Sequence, residues 1–213
     1  MATNYAVKEM FYSLQGEGRH SGRPAVFCRF AGCNLWSGRE RDRATAACTF
    51  CDTDFVGVDS DSGGRFQDSH SLAKAIDQIW GGGGEDDRFV VLTGGEPLLQ
   101  VGDELVSALH DLGFEIAVET NGTLAAPKLV DWITVSPKGA ATLAQTAGNE
   151  LKLVFPQANL DPASFESLAF DHFFLQPLDG SDLKSNTAAA VAYCMRHPRW
   201  HLSLQTHKLV GIQ

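Results

Sequence analysis

What is missing from this chain narrows it first. No stretch approaches the ~20 consecutive apolar residues that a helix needs to cross a bilayer. The start, Met1 to Met10, carries Lys8 and Glu9 where a secretion signal would carry an apolar block. A basic excess is also lacking: 17 Lys and Arg against 26 Asp and Glu leave a net charge of −9. That balance excludes a general nucleic-acid binder, whose affinity comes from cations set against phosphates, while leaving a local basic patch open. No internal repeat is visible, which excludes a solenoid. The five cysteines are odd in number and cannot all pair, so thiols kept reduced for a metal suit the chain better than a disulfide framework. These absences lead us to expect a soluble cytoplasmic protein with neither a membrane nor a nucleic-acid partner.

What is present is globular. With 213 residues, 44% hydrophobic and 20% charged, the chain is long enough to bury the core of one domain. Apolar strand-like runs fall at Ala25–Phe30, Phe89–Leu92, Glu115–Glu119, Trp132–Val135, Leu151–Phe155, His172–Leu175 and His201–Leu204. Helical periodicity is clearest over Ser71–Trp80, Asp103–Leu112 and Thr187–Arg196, with Ser71 and Asp103 as expected N-caps and Gly113 as a stop. Strands alternating with helices predict an α/β fold with mostly parallel strands. A complete barrel of eight βα units takes ~250 residues, and the helices are fewer than the strands. The expectation is therefore a partial, pared-down (β/α) barrel, as one domain over residues 1–213. A polar insertion spans residues 34–47, as a loop or short helix, and Gly81–Asp87 reads as a surface turn.

Cys33, Cys48 and Cys51 carry the chemistry. Fourteen residues separate the first two and two separate the last two. A zinc site needs a fourth ligand. Cys28 is nearest, but in a strand it points opposite to Arg29, toward a core. A redox pair accounts for Cys48 and Cys51 and leaves Cys33 unexplained. A cubic [4Fe–4S] cluster held by three thiolates would keep one iron open. From the cysteines alone, zinc and iron stay level. Cys194, in a helical pattern, reads as a structural thiol.

Thr93-Gly94-Gly95-Glu96-Pro97 follows the strand at Phe89–Leu92 and precedes a helix. With the cysteine trio, whose last gap holds Phe50, it resembles the radical S-adenosylmethionine (SAM) superfamily. Most of that superfamily has three residues in the first cysteine gap. The fourteen here, with Phe11-Tyr12-Ser13-Leu14-Gln15-Gly16-Glu17-Gly18, resemble the 7-carboxy-7-deazaguanine synthase family. Cys51-Asp52-Thr53, Glu119-Thr120-Asn121-Gly122, Ser136-Pro137-Lys138, Gln176-Pro177 and Gln205-Thr206-His207-Lys208 extend the match from residue 11 to 208.

The resemblance implies a lyase that converts 6-carboxy-5,6,7,8-tetrahydropterin to 7-carboxy-7-deazaguanine and ammonia, in queuosine and deazapurine biosynthesis. It implies a radical SAM barrel, a [4Fe–4S] cluster on Cys33, Cys48 and Cys51, SAM used catalytically, Mg²⁺, and a homodimer. For SAM it implies Phe50 beside the adenine and Gly95 at the amine, where absence of a Cβ lets a ligand approach. Ser136, Pro137, Lys138, Gln176, Pro177, Leu178 and Asp179 would complete the SAM site. Leu14, Gln15, Gly16, Thr93 and the terminal Gln213 would line the pterin pocket, and Arg29 would take its carboxylate bidentately. Thr53 is the Mg²⁺ ligand implied. Asp52 and Asp54 are alternatives that, in a strand, would face away from it. Glu17, Glu119, His207 and Lys208 match motifs without an assigned role, and a buried ion pair is an equal reading of Glu119.

Arg39, Arg41 and Arg43, interleaved with Glu40 and Asp42, read as a solvated mixed-charge loop or as a dock for an acidic electron donor of the flavodoxin or ferredoxin type. Two other readings stand beside this one. An activase that makes a protein glycyl radical shares the cluster and Gly-Gly-Glu-Pro but not the Gln-Gly-Glu-Gly segment. A non-catalytic iron–sulfur or zinc protein would show four protein ligands and no SAM binding.

Overall fold

Alternation of residues facing in and out along the strands organises the whole molecule. The structure, a computed structural model, describes residues 4–82, 84, 87–139, 141–158 and 160–213. The strands are β1 (Tyr5–Leu14), β2 (Pro24–Phe30), β3 (Gly64–Phe66), β4 (Phe89–Gly94), β5 (Glu115–Thr120), β6 (Trp132–Val135), β7 (Ala147–Phe155), β8 (Ala169–Pro177) and β9 (Trp200–Leu202). The α-helices are α1 (Ser69–Ile79), α2 (Asp103–His110), α3 (Leu183–Arg196) and α4 (Thr206–Val210). One sheet runs in the order β3-β1-β2-β4-β5-β6-β7-β8-β9. β1 is antiparallel to both neighbours, and every pairing from β2 to β9 is parallel. Helix α1 precedes β4, α2 links β4 to β5, and α3 links β8 to β9. No α-helix lies in the connections from β5 to β8 among the described residues. This is the expected mostly parallel barrel with helices missing.

Both faces of the central strands are buried, as parallel strands require. Val90 and Leu92 pack outward with Leu72 and Ile76 of α1 and Leu105 and Leu109 of α2. Phe89 and Val91 point inward with Ala25, Phe27 and Ala117. The same parity sends Cys28 into the outer core, fully buried, and Arg29 to the opposite face, as the sequence predicted, and it turns Thr93 inward as well. Cys194 packs half-buried against the cluster around Leu175 and Trp200.

Several boundaries differ from expectation. The N-cap of α1 is Asp68, which accepts from the Ser71 amide at 2.7 Å; Ser71 is the third helical residue and closes a capping box. The N-cap of α2 is Gly102, with Asp103 as the first helical residue. Gly113, at φ +78°, ends that segment as expected. Helix α3 begins four residues earlier than its apolar pattern, at Leu183, because its first turn is exposed. Strand β1 escapes an alternation reading because its register slips between Val7 and Glu9. This bulge leaves Tyr5, Val7 and Met10 on the core side and turns Glu9 toward Arg29. The insertion folds as a 3-10 helix over Glu40–Thr45. The surface turn expected over Gly81–Asp87 includes residues 83, 85 and 86, which lie outside the described residues.

Candidate active site

Inward-facing side chains of β1, β2 and β4–β8 surround a cavity of about 520 Å³, closed over by the segment that carries α4. The cavity joins two chemically distinct ends.

At one end sits the cysteine turn. All three thiols are free. Cys51 lines the cavity, while Cys33 and the buried Cys48 do not. The Leu35 amide donates to Cys33 Sγ at 3.4 Å. A hydrogen bond from the Cys48 thiol holds Cys51 low, at about 6, against the upward push of burial. The same bond, with burial, drives Cys48 up. No three His, Cys, Asp or Glu side chains among the described residues converge on a single ion. A cubane, whose corners lie apart, asks for no such convergence. A free thiol trio, one member lowered by a neighbouring thiol and another receiving an amide hydrogen bond, fits a cluster's needs.

Beside it runs the glycine pair. Gly94 has φ +121°. A Cβ on Gly95 would come within 1.9 Å of the Gly32 carbonyl oxygen and 3.1 Å of Cys33 Cβ. The strand end and the first cysteine can meet this closely only at glycine. Glu96 is fully buried and accepts from the Leu98 amide at 3.0 Å, Thr120 Oγ1 at 2.8 Å and the Asn121 amide at 2.8 Å. It ties β4 to the end of β5, which is a structural task. Burial pushes its pKa up, and these donors oppose the push.

Over the cysteine turn itself, Lys138 Nζ stands 5.6 Å from the Phe50 ring and donates to Ser136 Oγ at 2.7 Å. Burial pulls the Lys138 pKa down. Phe50, Gly95, Ser136, Lys138 and Gln176, Pro177, Leu178 and Asp179 all line the cavity. Pro137 lies off the wall; it is buried, and its carbonyl accepts from Gln157 Nε2 at 3.1 Å.

The opposite end is a floor of ions. Lys152, whose side chain is 5% exposed, reaches Glu17 Oε2 at 2.6 Å and Glu119 Oε1 at 3.3 Å. Glu119 accepts from Gln15 Nε2 at 3.1 Å and from Thr93 Oγ1 at 3.3 Å, while Glu17 accepts from Gln205 Nε2 at 2.9 Å. Burial alone would lift Glu17; the Lys152 charge and hydrogen bond outweigh it and hold the carboxyl at about 2. Lys152 is raised despite burial because Glu119 and Glu17 flank it. The two inward lysines are therefore opposites, one raised by its partners and one lowered by desolvation.

Leu14, Gln15, Gly16, Arg29, Thr93 and Gln213 line this half. Arg29 Nε donates to Glu9 Oε1 at 2.8 Å, which is the salt bridge that a strand-end arginine invites. Gln213 is tied down: its carbonyl accepts from Ser13 Oγ at 2.6 Å, and its Nε2 donates to Glu9 Oε2 at 3.3 Å. His207 packs on Gly16, where any Cβ would lie 2.0 Å from its Nδ1. Lys208 spans the mouth, bonding Asp52 at 2.8 Å and Asp179 at 2.6 Å.

Thr53 lines the cavity together with Asp52 and Asp54. The expectation that the two aspartates face away does not hold, because residues 51–55 are not a strand and impose no alternation. Each carries a lysine, Lys208 on Asp52 and Lys8 on Asp54 at 3.2 Å. Glu9 and Lys152 were not anticipated, and Gln205 appeared only within a matching motif. A charge inside the apolar run at Leu151–Phe155 is the signal that marks Lys152; Glu9 is hidden by the bulge.

Comparison with known proteins follows the same lines. The family model described as the radical SAM superfamily matches residues 42–149. The chain is 61% identical over 208 residues to the 7-carboxy-7-deazaguanine synthase of Caulobacter vibrioides, covering 98% of this chain and 99% of that one. It is likewise 61% identical over 210 residues to the synthase of Bradyrhizobium diazoefficiens, at 99% and 100% coverage. The crystal structure of QueE from Escherichia coli superposes with a TM-score of 0.69 at 28% identity, covering 94% of this chain and 93% of that one.

Proposed function

Because the chain belongs to the 7-carboxy-7-deazaguanine synthase family of the radical SAM superfamily, we propose a division of labour along its cavity. The protein is a radical SAM lyase that converts 6-carboxy-5,6,7,8-tetrahydropterin to 7-carboxy-7-deazaguanine in queuosine biosynthesis. Its cofactors are a [4Fe–4S] cluster and SAM. Cys33, Cys48 and Cys51 are the thiols that would hold the cluster. Bound together, cluster and SAM supply the one-electron chemistry that starts the reaction. Identity spread over the whole chain is what an activase sharing only the cluster and glycine motifs lacks.

This chain's own residues position and exclude. Gly95 leaves space for the SAM amine; Phe50 offers a face to the adenine; Ser136, Lys138 and residues 176–179 take the polar parts, with Pro137 fixing the turn from behind. Arg29, its Nε engaged by Glu9, keeps the rest of its fork for the substrate carboxylate. Leu14, Gln15, Gly16 and Thr93 meet the pterin, and Gln213 closes the pocket. Glu17, Lys152 and Glu119 keep the floor polar, fixed and dry. Thr53 shares Mg²⁺ with the substrate, so treatment with EDTA lowers turnover and added Mg²⁺ restores it; equal rates in both would remove the metal from the scheme. The chain is one domain over residues 1–213, cytoplasmic and homodimeric. A flavodoxin or ferredoxin docks at Arg39 and Arg41, so charge reversal there slows reduction by flavodoxin about threefold, with dithionite reduction as the control.

The observation that carries this reading is a single cavity connecting Cys51 and Gly95 to Arg29 and Gln15. The test uses substrate deuterated at C6. Product without the label, and deuterium in recovered SAM, are expected. Product that keeps its deuterium would sink the assignment.

A further inference from the structure

The fourteen residues between the first two cysteines have work beyond reaching across the barrel mouth. Among their three arginines, Arg41 is a solvated side chain, 71% exposed and paired only loosely with Asp42 at 3.5 Å. Arg43 is placed differently. Its Nε donates to both oxygens of Glu40 at 3.0 and 2.8 Å. Its Nη1 donates to the carbonyls of Thr49 at 3.0 Å and Cys51 at 3.1 Å, on either side of Phe50 in the cysteine turn. Its guanidinium carbon stands 4.0 Å over the ring of Trp36, three residues beyond Cys33.

Trp36 is itself fixed. It is buried, packs edge-on against Phe55 at 5.6 Å, and donates from Nε1 to the Arg39 carbonyl at 3.2 Å. The backbone repeats the tie, with the amides of Ala47 and Cys48 donating to the Leu35 carbonyl at 3.1 and 3.4 Å. One side chain therefore touches both cysteine-bearing segments, which are otherwise separated by the insertion.

We propose that Arg43 is a positioning residue that staples the Cys33 segment to the Cys48–Cys51 turn and so sets how firmly the cluster is held. The inference rests on the reading that these three cysteines bind the cluster. Only arginine fits the position. A planar fork can stack on an indole while donating along its edge to two carbonyls and a carboxylate; a lysine ammonium makes a point contact and cannot stack. The insertion folds so that this fork faces inward while Arg41 faces water, which separates the staple from a surface for an electron donor.

The test compares reconstituted wild-type enzyme with Arg43→Lys, Arg43→Ala, Glu40→Ala and Arg41→Ala. Iron loss to a ferrous chelator is followed through the cluster's visible absorbance, without SAM or substrate. The reduced-cluster paramagnetic resonance spectrum and midpoint potential are recorded beside it. Both Arg43 variants are expected to lose iron about tenfold faster and to shift the resonance spectrum, as loss of a supporting contact to a ligand does. Glu40→Ala, at a side chain that is 78% exposed, is expected to lose iron about two- to threefold faster, the scale of an exposed ion pair. Arg41→Ala should retain iron as the wild type does.

Iron retention within twofold of wild type in Arg43→Lys overturns the staple, whether or not Arg43→Ala folds, because charge alone then suffices. Wild-type loss rates in Glu40→Ala and Arg43→Ala together overturn it as well. A wild-type protein that takes up no cluster would bring down the parent reading first and this one with it, so the two failures are told apart.

Discussion

The cluster end of the lumen is made of backbone drawn close at glycine, and the floor is made of ions drawn out of water. At the first, Gly95 and Gly32 approach until no Cβ fits between them. At the second, Lys152 is sealed between Glu17 and Glu119 with Gln15, Gln205 and Thr93 completing the hydrogen bonds. The difference is one of tolerance. A close approach fails through sterics at one residue, and its neighbours can remain folded. A buried ion network fails through the charge left behind, and the cost falls on the whole fold. The cluster end should therefore lose cofactor binding when altered, and the floor should lose stability.

Lys152→Met is the severest way to probe that contrast. It strands two carboxylates in the interior, and we expect a loss of about 3–5 kcal/mol in denaturant unfolding. Adding Glu17→Gln and Glu119→Gln should recover most of it, since neutral partners need no counter-ion. A benign Lys152→Met would mean that the floor is wet and the comparison wrong.

Gly95→Ala comes next and should behave oppositely. The added Cβ would press on the Gly32 carbonyl, and the strand end that moves to relieve it is the backbone offered to the SAM amine, so SAM affinity should fall roughly 100-fold, read by equilibrium binding. Its unfolding midpoint should move far less than that of Lys152→Met. A large stability loss with SAM affinity preserved would reverse the contrast.

Glu9→Gln tests the boundary between the ends. Glu9 holds both Arg29 and Gln213. Weakening a charged hydrogen bond by about 1.4 kcal/mol should raise KM for the carboxylated pterin about tenfold, with the effect falling mainly in KM. A change confined to kcat would place Arg29 elsewhere in the reaction.

The last effect is one of pH. Glu17 is held at about 2 in the fold against an ordinary 4.5. Since the folded value is the lower one, the stabilisation it brings is whole above pH 4.5 and drains away as pH falls toward 2. The difference in unfolding free energy between wild type and Glu17→Gln should thus shrink as pH falls from about 4.5 toward 2. A difference that stays flat across that range would show that Glu17 is not held as an ion.

Legibility followed the same divide. The cluster end was readable because its parts are contiguous: Cys48 and Cys51 share a turn, and Gly94-Gly95 follow one apolar strand. Strand parity then set Arg29 opposite a core-facing Cys28 without any knowledge of the fold, while Thr93 came only from the resemblance. Of the floor only the ion pair of Glu119 was readable, and its partner was not, because Lys152 also meets a glutamate 135 positions away. Glu9 was hidden for a different reason, since the β1 bulge inverts the alternation on which parity depends. The loop at residues 51–55 misled through the reverse error, because alternation was assumed where no strand forms.

By itself the sequence determined which chemistries the chain can hold, since a thiol trio, a glycine pair and a run of paired motifs are properties of residue type and local spacing. The tertiary structure alone decided which charges face one another and which arginine of the insertion turns inward. Those outcomes depend on strand register and on loops returning across the barrel. A register shift of one residue moves every side chain to the other face.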